Sequence, residues 1–197
     1  MKVNVHRPLC LASGSPARKK LLEEAGLSFH VCVTGVDETE LPGESVQDYV
    51  VRLATEKAHA ALKKHGDALV IGVDTTVLFQ GKIIGKPDDA AHAREMLTLL
   101  SGEWHDVITG LAVGDVHHLK AVVATTRVKM RALSTAELDA YVATGEPLGK
   151  AGAYAIQGLG KNLVEKIEGS YTNVVGLPME ALEDLLRRLH VLSSSPV

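Results

Sequence analysis

The run Ala68-Leu69-Val70-Ile71-Gly72-Val73 is short, apolar and rich in β-branched residues, and it ends abruptly on Asp74. Such a pattern is that of a fully buried strand. A carboxylate delivered to the end of a buried strand costs free energy unless something there uses it. The C-terminal ends of strands are also where open α/β sheets build their ligand crevices. The structural alternative is that Asp74 caps the turn at Thr75-Thr76, a common duty of aspartate.

A chain of 197 residues is short enough to be one two-lobed α/β unit, and chains of this size hide about 70% of their unfolded surface without covalent staples. With aromatics at only 4%, packing must rest on Leu, Val, Ile and Ala. The net charge of −3 argues against a dedicated binder of nucleic-acid polymers, whose footprint is a basic excess. No apolar stretch approaches the ~18–20 residues of a membrane span. Met1 to Pro8 lacks the apolar core of a signal peptide, so the expected compartment is the cytoplasm. Cys10 and Cys32 sit in apolar runs outside any C-x-x-C pair, which predicts buried, reduced hydrophobes.

Along the chain, Leu9 to Ala12 reads as a first strand. Ser15 before Pro16 is a strong helix start, because Ser accepts from orphan N–H groups and Pro at the first helical position loses nothing. A strand is expected over 28–33, followed by the acidic turn Asp37-Glu38-Thr39-Glu40. Ser45 and Asp48 open a long helix to about His65. On it Val46, Tyr49, Val50, Leu53, Ala54 and Ala61 form one stripe, and Lys57 lands in its middle. Arg52, Glu56 and Lys63 fall on the wet face. A lysine centred on an apolar stripe must snorkel or meet an anion.

The strand through Asp74 continues to Phe79, turns at Gln80-Gly81 and returns through Ile83-Ile84 to Gly85-Lys86-Pro87. Asp89 caps a helix that Gly102 ends. Two strands follow, over 104–113 and 117–131, with the adjacent His117 and His118 at the hairpin edge. Ser134 with Glu137 is a capping box for a helix reaching Gly145. The stretch 149–158 is rich in Gly and Ala yet not polar, which suggests close backbone approach. A strand over 162–167, a turn at Gly169-Ser170-Tyr171 and a Pro178-led helix complete the expectation, with residues 192–197 as a frayed tail.

No P-loop, no H-E-x-x-H and no G-x-S-x-G elbow occurs. What remains is a constellation. Ser13, Ser15 and Arg18 lie at a helix N-terminus, a natural anion site. Lys57 and Lys86 add two cations. Glu38 and Asp74 are carboxylates suited to a hard divalent ion that also takes substrate phosphates. Thr75 and Gln157 offer neutral groups able to read a base edge. Together these describe a triphosphate site.

The ordered motifs resemble one family closely. Leu11-Ala12-Ser13-Gly14-Ser15-Pro16-Ala17-Arg18 comes first, then Val73-Asp74-Thr75, Gly85-Lys86-Pro87 and Leu100-Ser101-Gly102. Lys150 to Gly158 and Gly169 to Pro178 close the series. Over about residues 8 to 190 the chain resembles the Maf family of nucleoside triphosphate pyrophosphatases.

That resemblance implies an α/β fold, a mixed twisted sheet with flanking helices, as one domain over 1–197 with two lobes around a central cleft. This is the arrangement of the inosine-triphosphate pyrophosphatases. It implies hydrolysis of a nucleoside triphosphate to the monophosphate and diphosphate with a divalent cation, Mg²⁺ or Mn²⁺. Asp74 matches the family's proton acceptor, and Ser13, Arg18, Glu38, Lys57, Lys86 and Gln157 match its other active-site positions. Positions 17, 75 and 157 fall where the family sets base preference. Asp74-Thr75 and Ile156-Gln157-Gly158 look like the branch acting on dTTP and UTP. Alternatives are a 7-methyl-GTP pyrophosphatase and a non-catalytic nucleotide-binding regulator of cell division. Two positions depart from the family: Ala17 stands where an arginine is usual, and Gly149 where an aspartate is usual. The implied partner is the nucleotide itself, with no membrane; a homodimer is the assembly left open.

Overall fold

The computed structural model describes residues 7–189 and 191, so the tail expected at 192–197 lies outside the described residues. Seven strands form one mixed sheet in the order β2-β1-β3-β5-β6-β7, with β4 paired to β3. They are β1 (Leu9–Ala12), β2 (His30–Val31), β3 (Leu69–Phe79), β4 (Lys82–Ile84), β5 (Trp104–Gly114), β6 (Leu119–Met130) and β7 (Val164–Glu168). Among the described residues six α-helices accompany them: α1 (Pro16–Glu24), α2 (Val46–Leu62), α3 (Ala90–Leu100), α4 (Thr135–Ala143), α5 (Tyr171–Val175) and α6 (Met179–Arg188). The expected α/β class is therefore the observed one. Among the described residues no helix is long and apolar enough to cross a membrane.

The chain divides into two compact units. The first holds residues up to Asp74, Thr109–Ala124 and the segment from Gly176 onward. In it β1 pairs in parallel with β3, Leu11 opposite Ile71, and with β2, Cys10 opposite His30. Parallel strands need a crossover, and α1 and α2 supply the helices that return the chain. Ser15 caps α1, its side chain accepting from the Arg18 N–H. Ser45 caps α2 through the Asp48 N–H.

Helix α2 lies against the sheet with almost no side chain between. A Cβ on Gly72 would stand 2.1 Å from the Ala54 carbonyl oxygen, and one on Gly110 would stand 2.1 Å from that of Val50. Ala54, Ala58 and Ala61 line the contact and are fully buried, packed with Cys10, Ala12, Val70 and Ala112. Small residues on both elements let the backbones approach, and this sets how far the α2 side chains stand from the middle of β3.

The second unit holds Thr75–Ile108 and Thr125–Val175. Its core gathers Val77, Leu97, Leu100, Val128, Met130 and Tyr154. β4 returns antiparallel on β3, Leu78 opposite Ile83, and β7 pairs antiparallel with β6, Val128 opposite Ile167. Asp89 caps α3, and Ser134 with Glu137 forms the expected capping box on α4.

Four local expectations are corrected. The strand expected over 28–33 shrinks to His30–Val31, both exposed at the sheet edge. Gly169-Ser170-Tyr171 leads into a short helix because the Ser170 side chain accepts from the Asn173 N–H. The strand expected from 117 begins at Leu119, and His117 and His118 sit exposed at the β5–β6 turn as expected, where Asp115 accepts from both of their N–H groups. Cys10 and Cys32 are buried, as expected, but joined as a disulfide. Parallel pairing of β1 and β2 brings their Cα atoms to 6.1 Å, within the span a bridge covers.

Candidate active site

Lys57 is the centre of the first unit's polar cluster. Its position on the buried face of α2 leaves the residue 8% exposed. Its ammonium meets two carboxylates, Asp74 Oδ1 at 2.6 Å and Glu38 Oε1 at 2.6 Å. Of the two fates open to it, it takes the anions. The Lys57 and Asp74 side chains are each only 10% exposed, whereas that of Glu38 is 40% exposed. The cluster thus has a dry end on β3 and a wet end on the 37–44 loop.

Asp74 is not a turn cap: β3 runs straight through it to Phe79. Burial pushes its carboxyl pKa up, against the pull of Lys57 and Arg18. A carboxylate made more basic than usual beside bound cations is suited to accept a proton.

Arg18 reaches the same region from the first turn of α1. Its Nε donates to the Gly176 carbonyl at 2.7 Å, and Nη1 donates to Ser13 Oγ at 2.9 Å and to the Val73 carbonyl at 3.2 Å. Burial lowers its pKa while Asp74 and Glu38 raise it; a guanidinium keeps its charge throughout. The Ser15 N–H donates to Ser13 Oγ at 3.3 Å. Ser13, Ser15 and Arg18 are thus brought together as expected, with half-buried Ala17 beside them on α1.

The 37–44 loop has no regular structure, and α2 holds it in place. Tyr49 Oη donates to the Glu38 carbonyl at 2.9 Å. Arg52 donates to the Thr39 carbonyl at 3.0 Å and grips both oxygens of Glu44 at 2.6 and 2.8 Å. Helical spacing puts Arg52 on a wet face; in the fold it is half-buried, because the loop closes over it. Tyr49, Arg52 and Glu44 are the residues that sequence reasoning did not single out. The available signal was the charge pattern of Glu44, Arg52 and Glu56 flanking an acidic turn.

The remaining expected residues belong to the second unit. Thr75 follows Asp74 along β3 and is half-buried, while Lys86 and Gln157 are exposed. The two segments that carry Lys86 and Gln157 are tied together: the Gly152 N–H donates to the Gly85 carbonyl at 3.0 Å.

Glu38 and Asp74 fit a hard divalent cation by chemistry, since both offer carboxylate oxygens. Among the described residues no group of three or more His, Cys, Asp or Glu gathers at one point. A cation held here would complete its shell with water and substrate oxygens, which is the habit of Mg²⁺.

A family model described as Maf-like protein matches residues 8–189. The dTTP/UTP pyrophosphatase of Escherichia coli O157:H7 is 48% identical over 185 residues, covering 93% of this chain and 94% of that protein. The nucleoside triphosphate pyrophosphatase of Shigella flexneri has the same identity and coverage. Among solved structures, the Staphylococcus aureus Ham1 protein superposes with a TM-score of 0.54 at 14% identity, covering 93% of this chain and all of that one. This last likeness speaks to the fold alone. Nearly the whole chain matches in both sequence comparisons, and it belongs to the Maf family.

Proposed function

We propose that this protein is a nucleoside triphosphate pyrophosphatase that hydrolyses dTTP and UTP to the monophosphate and diphosphate. One observation carries the reading: a buried lysine on α2 that bridges Asp74 of β3 and Glu38 of the 37–44 loop at 2.6 Å each. The names of the 48%-identical relatives support the substrate class.

In this reading Asp74 takes a proton from the attacking water. The water oxygen forms a bond to the α-phosphorus, the bond from that phosphorus to the bridging oxygen breaks, and diphosphate leaves with the bond's electrons. Arg18, Lys57 and Lys86 stabilise charge on the phosphates and the leaving group. Ser13 and Ser15 present hydrogen-bonding groups at the N-terminus of α1. Glu38 and Asp74 would hold a divalent cation, Mg²⁺ or Mn²⁺, which would supply Lewis-acid polarisation of phosphoryl oxygens. Thr75 and Gln157, with the small Ala17, select the base. A pyrimidine preference fits the relatives, and Ala17 in place of the family's usual arginine leaves that selection to fewer charged contacts.

The test is a panel of pyrimidine, purine and 7-methylguanosine triphosphates assayed with Mg²⁺ and with Mn²⁺, scored for diphosphate against orthophosphate. Diphosphate released fastest from dTTP and UTP is the expected result. Orthophosphate release would overturn the bond assignment, and a preference for the methylated purine would overturn the substrate.

A further inference from the structure

Between α4 and the segment carrying Gln157 lies a hydrogen-bond bracket that the proposed chemistry does not use. Glu146 follows α4 and is half-buried. Its Oε1 accepts from the Gly160 N–H at 2.9 Å and from Tyr141 Oη at 2.9 Å, and its Oε2 accepts from the Leu159 N–H at 2.9 Å. Tyr141 Oη in turn accepts from the Ala155 N–H at 3.1 Å. Both ends of the 155–160 turn are therefore bonded to one Tyr–Glu pair. The turn is closed internally by the Gly158 N–H donating to the Ala155 carbonyl at 3.2 Å. Gln157 stands exposed at its apex.

Sterics reinforce the bracket. A Cβ on Gly158 would fall 2.2 Å from Glu146 Oε2, and one on Gly160 would fall 2.7 Å from both Tyr141 Oη and the Ala155 carbonyl. The backbone of the turn lies directly on the two side chains. Burial alone would push the Glu146 carboxyl pKa up, but the two N–H donors and the Tyr141 hydroxyl outweigh it and hold the group ionised. An ionised acceptor is the stronger anchor for N–H groups. One carboxylate receives three donors, two of them from consecutive backbone positions.

We propose that Glu146, acting with Tyr141, is a positioning residue that sets base selectivity by holding the Gln157 turn in its reading geometry. The proposal rests on the reading of Gln157 as a base-selecting residue. It follows from rigidity: a side chain that must discriminate hydrogen-bonding patterns needs its backbone fixed to a fraction of an ångström. Loss of the bracket loosens discrimination while leaving Asp74 and Lys57 as they are.

The experiment compares kcat and KM for dTTP, UTP and dGTP in the parent protein, Glu146→Gln, Gln157→Ala and the double variant. Glu146→Gln keeps the side-chain shape but cannot accept from all three donors. It is expected to lower the pyrimidine-over-purine ratio of kcat/KM by about tenfold or more, the range expected when a hydrogen-bonded site is loosened. Most of the change should lie in KM. The double variant should match Gln157→Ala alone, because the two residues act through one element. Gly158→Ala, which presses on Glu146 from the turn side, is the second probe should Glu146→Gln fold poorly, and the same ratio shift is expected.

If Gln157→Ala changes selectivity but Glu146→Gln and Gly158→Ala do not, the positioning role is overturned and the reading of Gln157 stands. Full additivity in the double variant overturns the positioning role as well. An unchanged ratio in Gln157→Ala overturns the reading of Gln157 and, with it, the proposal.

Discussion

The Lys57 ammonium lies 2.6 Å from Asp74 Oδ1, with each side chain only 10% exposed. One group comes from the middle of a helix and the other from the middle of a strand, so neither depends on a loop for its place. A buried ion pair of this kind is weak evidence for stability, because desolvation opposes the attraction. In the proposed mechanism the pair has a chemical use instead.

The first expectation concerns that use. Asp74→Asn removes the proposed proton acceptor yet keeps a group of the same shape, and Lys57 retains Glu38. Turnover should fall by about 10²- to 10⁴-fold. The melting midpoint should not fall below that of the parent, since burial already opposes ionisation at this position. Diphosphate release and thermal denaturation on the same preparation check both halves. Near-full activity would remove Asp74 from the role.

A second expectation concerns the wet end of the site. Glu38 is placed by Tyr49 and by the Arg52–Glu44 pair rather than by regular structure. Arg52→Ala should free the 37–44 loop and raise the Mg²⁺ concentration needed for half-maximal activity by about 10- to 100-fold, the usual cost of losing a supporting partner at a metal site. Glu183→Gln, which breaks an exposed helix pair with Arg187, should change nothing measurable. A metal titration of both variants reads the difference.

Third, Gly72→Ala introduces a Cβ that would meet the Ala54 carbonyl oxygen at 2.1 Å and Ala58 Cβ at 2.9 Å. Backbone cannot yield as a side chain can. The cost should be about 3 kcal/mol, at the upper end of overpacking effects, with activity reduced in the fraction that still folds. Denaturant unfolding gives the first quantity and active-site titration the second.

His105 supplies the fourth. It is 3% exposed, its Nε2 lies 2.8 Å from Tyr154 Oη, and burial pushes its pKa down from 6.5 to about 4. Between those two values the unfolded chain binds a proton that the folded one refuses. Stability is therefore full above pH 6.5 and falls as the pH drops toward 4, by roughly 3 kcal/mol in all. Denaturant unfolding at pH 7 and pH 4.5 should show this loss in the parent and a smaller one in His105→Phe. Equal losses would assign the acid sensitivity elsewhere.

Much of this was legible in the sequence because the signals were local. A 100° step per residue placed Lys57 on the buried face of α2, and Ser15-Pro16 and Ser134 with Glu137 announced two helix starts that the fold bears out. The run into Asp74 announced a buried strand, and β3 is buried along most of its length. What was hidden depended on contacts distant in sequence. The disulfide requires the β1–β2 register, which two cysteines 22 residues apart do not reveal. The short β2 reflects its edge position, with Val31 and Val33 left exposed. The duty of Arg52 depends on a loop folding back over a face that helical spacing alone marks as solvated.

The glycine at position 72 carries a consequence for anyone reshaping this enzyme. Because a missing side chain sets the gap between α2 and β3, the spacing of acid and ammonium is written into the main chain and not into residues that a library could vary. Under the proposed function, substitutions at 17, 75 or 157 are the ones that retune which nucleotide is accepted. Changes at the helix–strand seam would alter everything at once, so new specificities should be sought outward from it.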